Sequence, residues 1–184
     1  MKKSFLAVLI ALCIAALPCG NAFLADAASS KQSSDKVDEF IQKGFEFKLG
    51  HTKSRIIKNL GEPVSLRHER VKPANPYMAN PSDEINDEYY ELVYDGLSVV
   101  LYLAAAEHQE LLQRVTITDP KFALKGGLKV GSTRADVVNW LGAPSEEQAG
   151  CLIYRNRAGT EDSVSFFLDN DAVKKIDWSY SVIE

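Results

Sequence analysis

The spacing of apolar residues divides this chain into three kinds of stretch. Phe5 to Leu17 is a continuous apolar run behind the basic Met1-Lys2-Lys3 start. Val37 to Lys43 reads as a helical stretch. Two further segments carry apolar stripes at helical spacing, Ile56, Ile57 and Leu60 in one and Val137, Val138 and Leu141 in the other. Elsewhere the period falls to two. Tyr90 to Leu103 predicts two strands around an Asp95-Gly96 turn, with Leu97, Val99, Leu101 and Leu103 on one face and Ser98, Val100 and Tyr102 on the other. Leu111 to Thr118 predicts another strand, and Cys151 to Asn156, Ser163 to Asp169 and Val173 to Ile183 predict three more. Within the second of these, Val164, Phe166 and Leu168 alternate with Ser165 and Phe167.

The two later helices belong to a repeat. Lys48 to Pro63 aligns with Lys129 to Pro144 without a gap, and Lys, Gly, Thr, Leu, Gly and Pro are identical. These are positions with structural work to do. Gly50 and Gly131 suit a turn of positive φ. Thr52 and Thr133 can cap a helix N-terminus, and Asp136 stands where it can answer Thr133. Gly61 and Gly142 can take a left-handed C′ position, and Pro63 and Pro144 prevent continuation. Each helix should therefore last about two turns. Val115 and Ile117 match Ile176 and Trp178 further on, and the change of offset reflects an insertion in the first unit. The predicted architecture is α+β, two tandem helix-plus-antiparallel-sheet repeats that pack together, over 37–119 and 120–184. The first carries an inserted surface loop at 72–88, rich in proline and acid; Phe122 to Gly127 stands before the second helix as Val37 to Lys43 does before the first.

The start of the chain predicts export. A basic start, an apolar run and small residues at Gly20 and Ala22 make a signal peptide over 1–22, with a second cleavage position after Ala27. A flexible leader at 28–36 follows. The apolar run is short of the roughly 20 residues that span a bilayer, and no later segment is apolar enough, so no transmembrane segment is expected. Cys19 raises a lipid anchor, but Ala16 and Pro18 depart from the lipobox pattern of Leu and a small residue. The expected location is periplasmic or secreted. With Cys13 and Cys19 removed, Cys151 is left without a disulfide partner and reads as a small buried hydrophobe.

The repeated Gly-x-Thr-(Lys/Arg) … Leu-Gly-x-Pro helix, followed by an antiparallel meander, resembles the SmpA/OmlA (BamE-like) family of outer-membrane assembly lipoproteins. In tandem it is similar to the β-lactamase inhibitor protein fold. The resemblance covers about residues 45–184. It implies two units presenting a joint sheet to a protein partner. It names no particular partner, because such families bind unrelated ones.

Composition narrows the function without fixing it. The chain of 184 residues is 46% hydrophobic and carries a formal charge of −4, or −6 once Lys2 and Lys3 leave with the signal. A mildly acidic chain lacks the footprint of a nucleic-acid binder. No nucleophile elbow, His-Glu-x-x-His helix, Cys-x-x-Cys pair or phosphate loop occurs, so no catalytic residue, metal or cofactor is assigned. The reading is an exported, non-catalytic binding protein that holds a protein partner in the cell envelope, as an assembly factor or an inhibitor. Its candidate contacts are Tyr102, Arg114, Phe167 and Lys175 on the open side of the sheet, because aromatic and arginine anchors dominate interfaces. Trp140 joins them, as a partner patch or as a plug between the repeats, since the first helix has Asn59 in its place. The alternative is a small-ligand or metal-binding periplasmic enzyme that uses His51, His68 or His108.

Overall fold

A computed structural model of the chain describes residues 35–72, 86–157 and 161–181. The expected signal peptide and its expected cleavage positions, Cys19 and the expected leader up to residue 34 lie outside the described residues, as does 73–85 of the expected inserted loop.

The helices begin and end where side chains dictate. The first, α1, is described over 35–43. In α2 (Lys53–Leu60) the Thr52 hydroxyl accepts from the Arg55 N–H at 3.3 Å, and the Gly61 N–H donates to the Ile57 carbonyl at 2.8 Å. In α3 (Arg134–Leu141) the cap is reciprocal: Thr133 Oγ1 accepts from the Asp136 N–H at 3.1 Å, and Asp136 Oδ2 accepts from the Thr133 N–H at 2.8 Å. Gly61 and Gly142 have φ of 87° and 84°, as the sequence suggests, but ψ of −175° and −166°. They sit in the extended positive-φ region that is essentially restricted to glycine, rather than in the left-handed helical one.

The strands are β1 (Ser65–Val71), β2 (Asp87–Tyr94), β3 (Leu97–Ala104), β4 (Gln109–Ile117), β5 (Glu146–Gln148), β6 (Cys151–Arg155), β7 (Ser163–Asp169) and β8 (Ala172–Ser179). They form one antiparallel sheet in the order β1-β2-β3-β4-β8-β7-β6-β5. The Asp95-Gly96 turn joins β2 to β3 as predicted. Asn170 and Asp171, both at positive φ, make the two-residue turn from β7 to β8.

This overturns the expected fold class. The molecule is mostly an eight-stranded antiparallel sheet with short helices on it, not an α+β pair of helix-plus-sheet repeats. Two physical causes stand behind the difference. The capping signals close α2 and α3 after eight residues each, so neither helix amounts to a layer. The two meanders, meanwhile, are hydrogen-bonded into a single sheet where β4 pairs β8. Val115 faces Trp178 and Ile117 faces Ile176, so the two segments that match in sequence meet antiparallel across that junction. Strand β2 also starts at Asp87, so Asp87 and Glu88 are strand residues, not loop acids.

All three helices lie on one face of the sheet and close a single core. Phe40 and Ile41 of α1, Ile56 of α2, and Val137 and Leu141 of α3 are buried with Leu92, Val99, Leu101, Val115, Phe166, Ile176 and Trp178. Trp178 sits at the centre. Its ring stacks on Phe40 at 5.4 Å, and its Nε1–H donates to the Ile41 carbonyl at 3.2 Å. A buried indole must place its donor, and here that need ties α1 to the middle of the sheet.

Candidate interaction surface

Pairing register decides which side chains share the face without helices. Tyr89 pairs Tyr102, Glu91 pairs Val100, Val100 pairs Arg114 and Arg114 pairs Ser179. Beyond β8, Asp177 pairs Ser165, Lys175 pairs Phe167 and Phe167 pairs Cys151. Residues opposite one another in a sheet point the same way, so this row crosses the whole outer face. Among the described residues no helix lies on it. The register slips twice near the middle, with Gln113 of β4 and Lys174 of β8 as the extra residues. Such bulges bend and twist a strand locally.

The face is made of tied pairs with a few apolar patches between them. Arg67 holds Glu91 at 3.0 Å, and Glu91 also accepts from the Ser98 hydroxyl at 3.0 Å. Thr116 donates to Asp177 at 2.7 Å, and Arg155 holds Glu146 at 3.0 Å. The Lys175 ammonium lies 3.8 Å from the centroid of the half-buried Phe167 ring, a cation–π pair set by their direct cross-strand position. Arg114, exposed near the middle, makes no ion pair among the described residues. It stands four residues of β8 from Lys175, roughly 13 Å at the usual rise per residue. Beside Phe167, the Cys151 thiol is buried, and burial pushes its pKa up against the opposing pull of a hydrogen bond with Ser165.

The structure places four of the five residues expected from sequence on the outer face, three of them accessible. Arg114, Phe167 and Lys175 share the outer face. Tyr102 shares it too but is only 4% exposed. Its hydroxyl donates to the Asp87 carboxylate, which also accepts from the Ala105 N–H at 3.0 Å. Tyr102 thus locks the end of a hairpin and is not an open anchor. Trp140 is elsewhere, on α3 beyond the helix-bearing face and 36% exposed. It does not plug a seam. One side of its ring rests against Gly126, and the Lys36 ammonium lies 3.7 Å from its centroid. Its counterpart Asn59 ties the last turn of α2 to the Leu49 carbonyl at 3.4 Å. Both residues fasten a helix to the segment before it, one by a polar bond and the other by a ring.

The histidines stand on three elements. His51 is exposed in the bend before α2, and His108, with φ of 53°, is at the β3–β4 hairpin tip. His68 stacks on Tyr90 with ring centroids 4.7 Å apart and 4° between planes, and its Nε2 lies 3.1 Å from Glu88. Tyr90 donates to the same carboxylate, which pushes the tyrosine up to about 12 and holds Glu88 below its ordinary value. Among the described residues, no group of three or more His, Cys, Asp or Glu is arranged to hold a metal ion. No described helix is long and apolar enough to cross a membrane.

The alternation of charges around His68 reads as a solvent-facing strand; that this strand is the edge of the sheet is what sequence reasoning missed. The edge strand β1 is exposed along nearly its whole length, with Leu66 at 46% and Val64 at 81% just before it.

No protein-family model matches this chain, and no curated protein matches it. Among solved structures it has a likeness to the uncharacterized protein yfeY from Escherichia coli, at 13% identity and a TM-score of 0.34. That likeness spans 70% of this chain and 88% of the other, and it says nothing of role.

Proposed function

We propose that this chain is an exported, non-catalytic binding protein that holds a protein partner in the cell envelope, by the outer face of its sheet. The observation that supports this reading is the neighbourhood of Arg114. An exposed guanidinium without an ion pair among the described residues stands on the same face as Phe167 and Lys175. Arginine and aromatic side chains are the anchors that protein interfaces favour, and strand alternation turns Phe167 toward the outer face beside Lys175. The leader, with its basic start and apolar run, supports export.

The test is capture from an envelope extract by the purified protein and by Arg114→Glu and Phe167→Ala. A specific partner retained by the native protein and lost by both variants, each with an unchanged melting temperature, is the expected result. A partner held equally by all three forms would move the interface away from this face.

A further inference from the structure

The two edges of the sheet are built differently. Strand β5 has only three residues, Glu146-Glu147-Gln148. Its acids are occupied by Arg155 and Arg134, and two copies of it would set Glu147 against Glu147. Short, like-charged edges resist pairing with another chain. Strand β1 has seven residues, Ser65 to Val71, six of them exposed. One side of it pairs β2, and no other described strand pairs with its free side. An edge of this length presents a row of outward N–H and C=O groups, a ready template for one more strand.

Its charges select what can pair there. Register with β2 places Ser65, Arg67, Glu69 and Val71 on the outer face and Leu66, His68 and Arg70 on the helix-bearing one. Consider two copies related by a two-fold axis perpendicular to the sheet. Each face then continues into the same face of the partner, so odd-numbered residues meet odd-numbered ones. A two-fold centred between strands at Arg67 would oppose Arg67 to itself, and one centred at Glu69 would oppose Glu69 to itself. Centred at His68, only His68, an imidazole stacked on Tyr90 and not a fixed charge, meets its own copy. The strands then overlap along all seven residues, and each Arg67 faces Glu69 of the partner subunit. On the helix-bearing face, Leu66 then lies opposite Arg70 of the partner subunit, whose methylene stem can cover the exposed leucine. Arg67 already holds Glu91 within its own chain, while Glu69 makes no ion pair among the described residues. Pairing would give Glu69 the missing cation. Charges normally blunt an edge, but an Arg-x-Glu alternation is self-complementary and so chooses one register.

We propose that β1 is a homodimer edge: a second copy of this chain adds antiparallel at His68 and continues the sheet, with reciprocal Arg67–Glu69 pairs fixing the register.

Sedimentation equilibrium over a concentration series tests this with four proteins: native, Arg67→Glu, Glu69→Arg, and the double exchange R67E/E69R. Native protein should associate reversibly to a dimer. Each single variant sets like charges opposite one another and should associate at least about tenfold more weakly. In an equimolar mixture of the two single variants, one chain offers acids at both positions and the other offers arginines at both, so the mixture should form a heterodimer. The double exchange should dimerise as native does. Circular dichroism melts confirm that these exposed substitutions leave the fold intact. A native protein that stays monomeric at every concentration overturns the proposal. So do single variants that dimerise like native, or a mixture that fails to associate.

Discussion

A Cβ built on Gly126 would lie 2.3 Å from Cε2 of the Trp140 indole, so the ring rests on bare backbone. Gly126 also has φ of 77°. Gly126→Ala therefore meets two obstacles, a conformation that alanine adopts poorly and a ring it must push aside. A loss of about 1–3 kcal/mol in urea unfolding is expected. The two obstacles separate in a double-mutant cycle. With Trp140→Asn in the background, only the backbone cost remains, so Gly126→Ala should be less destabilising there. Equal costs in both backgrounds would mean that the indole does not rest on this glycine.

The end of α2 gives a test of backbone geometry alone. Nothing lies within 4 Å of a Cβ placed on Gly61, so any cost of a side chain there comes from φ of 87° with ψ of −175°. Gly61→Val should destabilise by about 1 kcal/mol or more. Gly142→Val, at the matching position of α3, should do the same. Asparagine discriminates further. It tolerates the left-handed helical region but not this extended one, so Gly61→Asn should cost nearly as much as Gly61→Ala. Clear tolerance of Asn would indicate a conventional left-handed cap.

A third prediction concerns Asp87, the buried charged residue of the described chain at 5% exposed. It accepts from the Tyr102 hydroxyl and the Ala105 N–H, joining the first residue of β2 to the β3–β4 hairpin. Removing one member of a buried polar set leaves the others desolvated without a partner. Tyr102→Phe should cost about 1–3 kcal/mol, and Asp87→Ala, which removes the acceptor of both bonds at once, should cost at least as much. If Tyr102 instead served mainly as a binding anchor, Tyr102→Phe would leave the unfolding midpoint unchanged.

What is legible in the sequence follows from how local each signal is. Helix caps, the Asp95-Gly96 turn and the alternation in β3 and β7 depend on neighbours a few residues apart, and the structure has them. Whether β4 pairs β8 depends on residues such as Val115 and Trp178, sixty-three positions apart, and no local signal reports that. The repeat reads as two packed units because its matching segments carry structural residues; the single sheet arises from the one contact the repeat does not describe. Tyr102 shows the same limit at the surface. Alternation puts it correctly on the outer face with Val100, but its burial comes from Asp87, a residue that reads as a loop acid from composition. Trp140 likewise gives no sign that Gly126, fourteen residues earlier, lies under it.

The last prediction is a pH dependence. Tyr154 is fully buried in β6, and its hydroxyl donates to the Gly142 carbonyl at 2.9 Å, fastening the end of α3 to the sheet. Burial, with a smaller push from Glu147, raises its pKa from 10.0 to about 12. A tyrosine whose folded pKa lies above its unfolded one favours the native state by binding its proton more tightly there. That contribution is fully present below pH 10 and disappears as pH climbs through about 12. Tyr180, also raised by burial and donating to the Ile41 carbonyl at 3.3 Å, acts in the same direction. The urea midpoint of the native protein should therefore fall across this alkaline window. Tyr154→Phe removes one titrating group and its hydrogen bond together, so the variant should start lower near neutral pH and fall less steeply. Tyrosinate absorbance, followed in parallel, should show this ring ionising only as the protein unfolds. A variant with the same alkaline slope as native protein would show that Tyr154 carries none of the pH dependence.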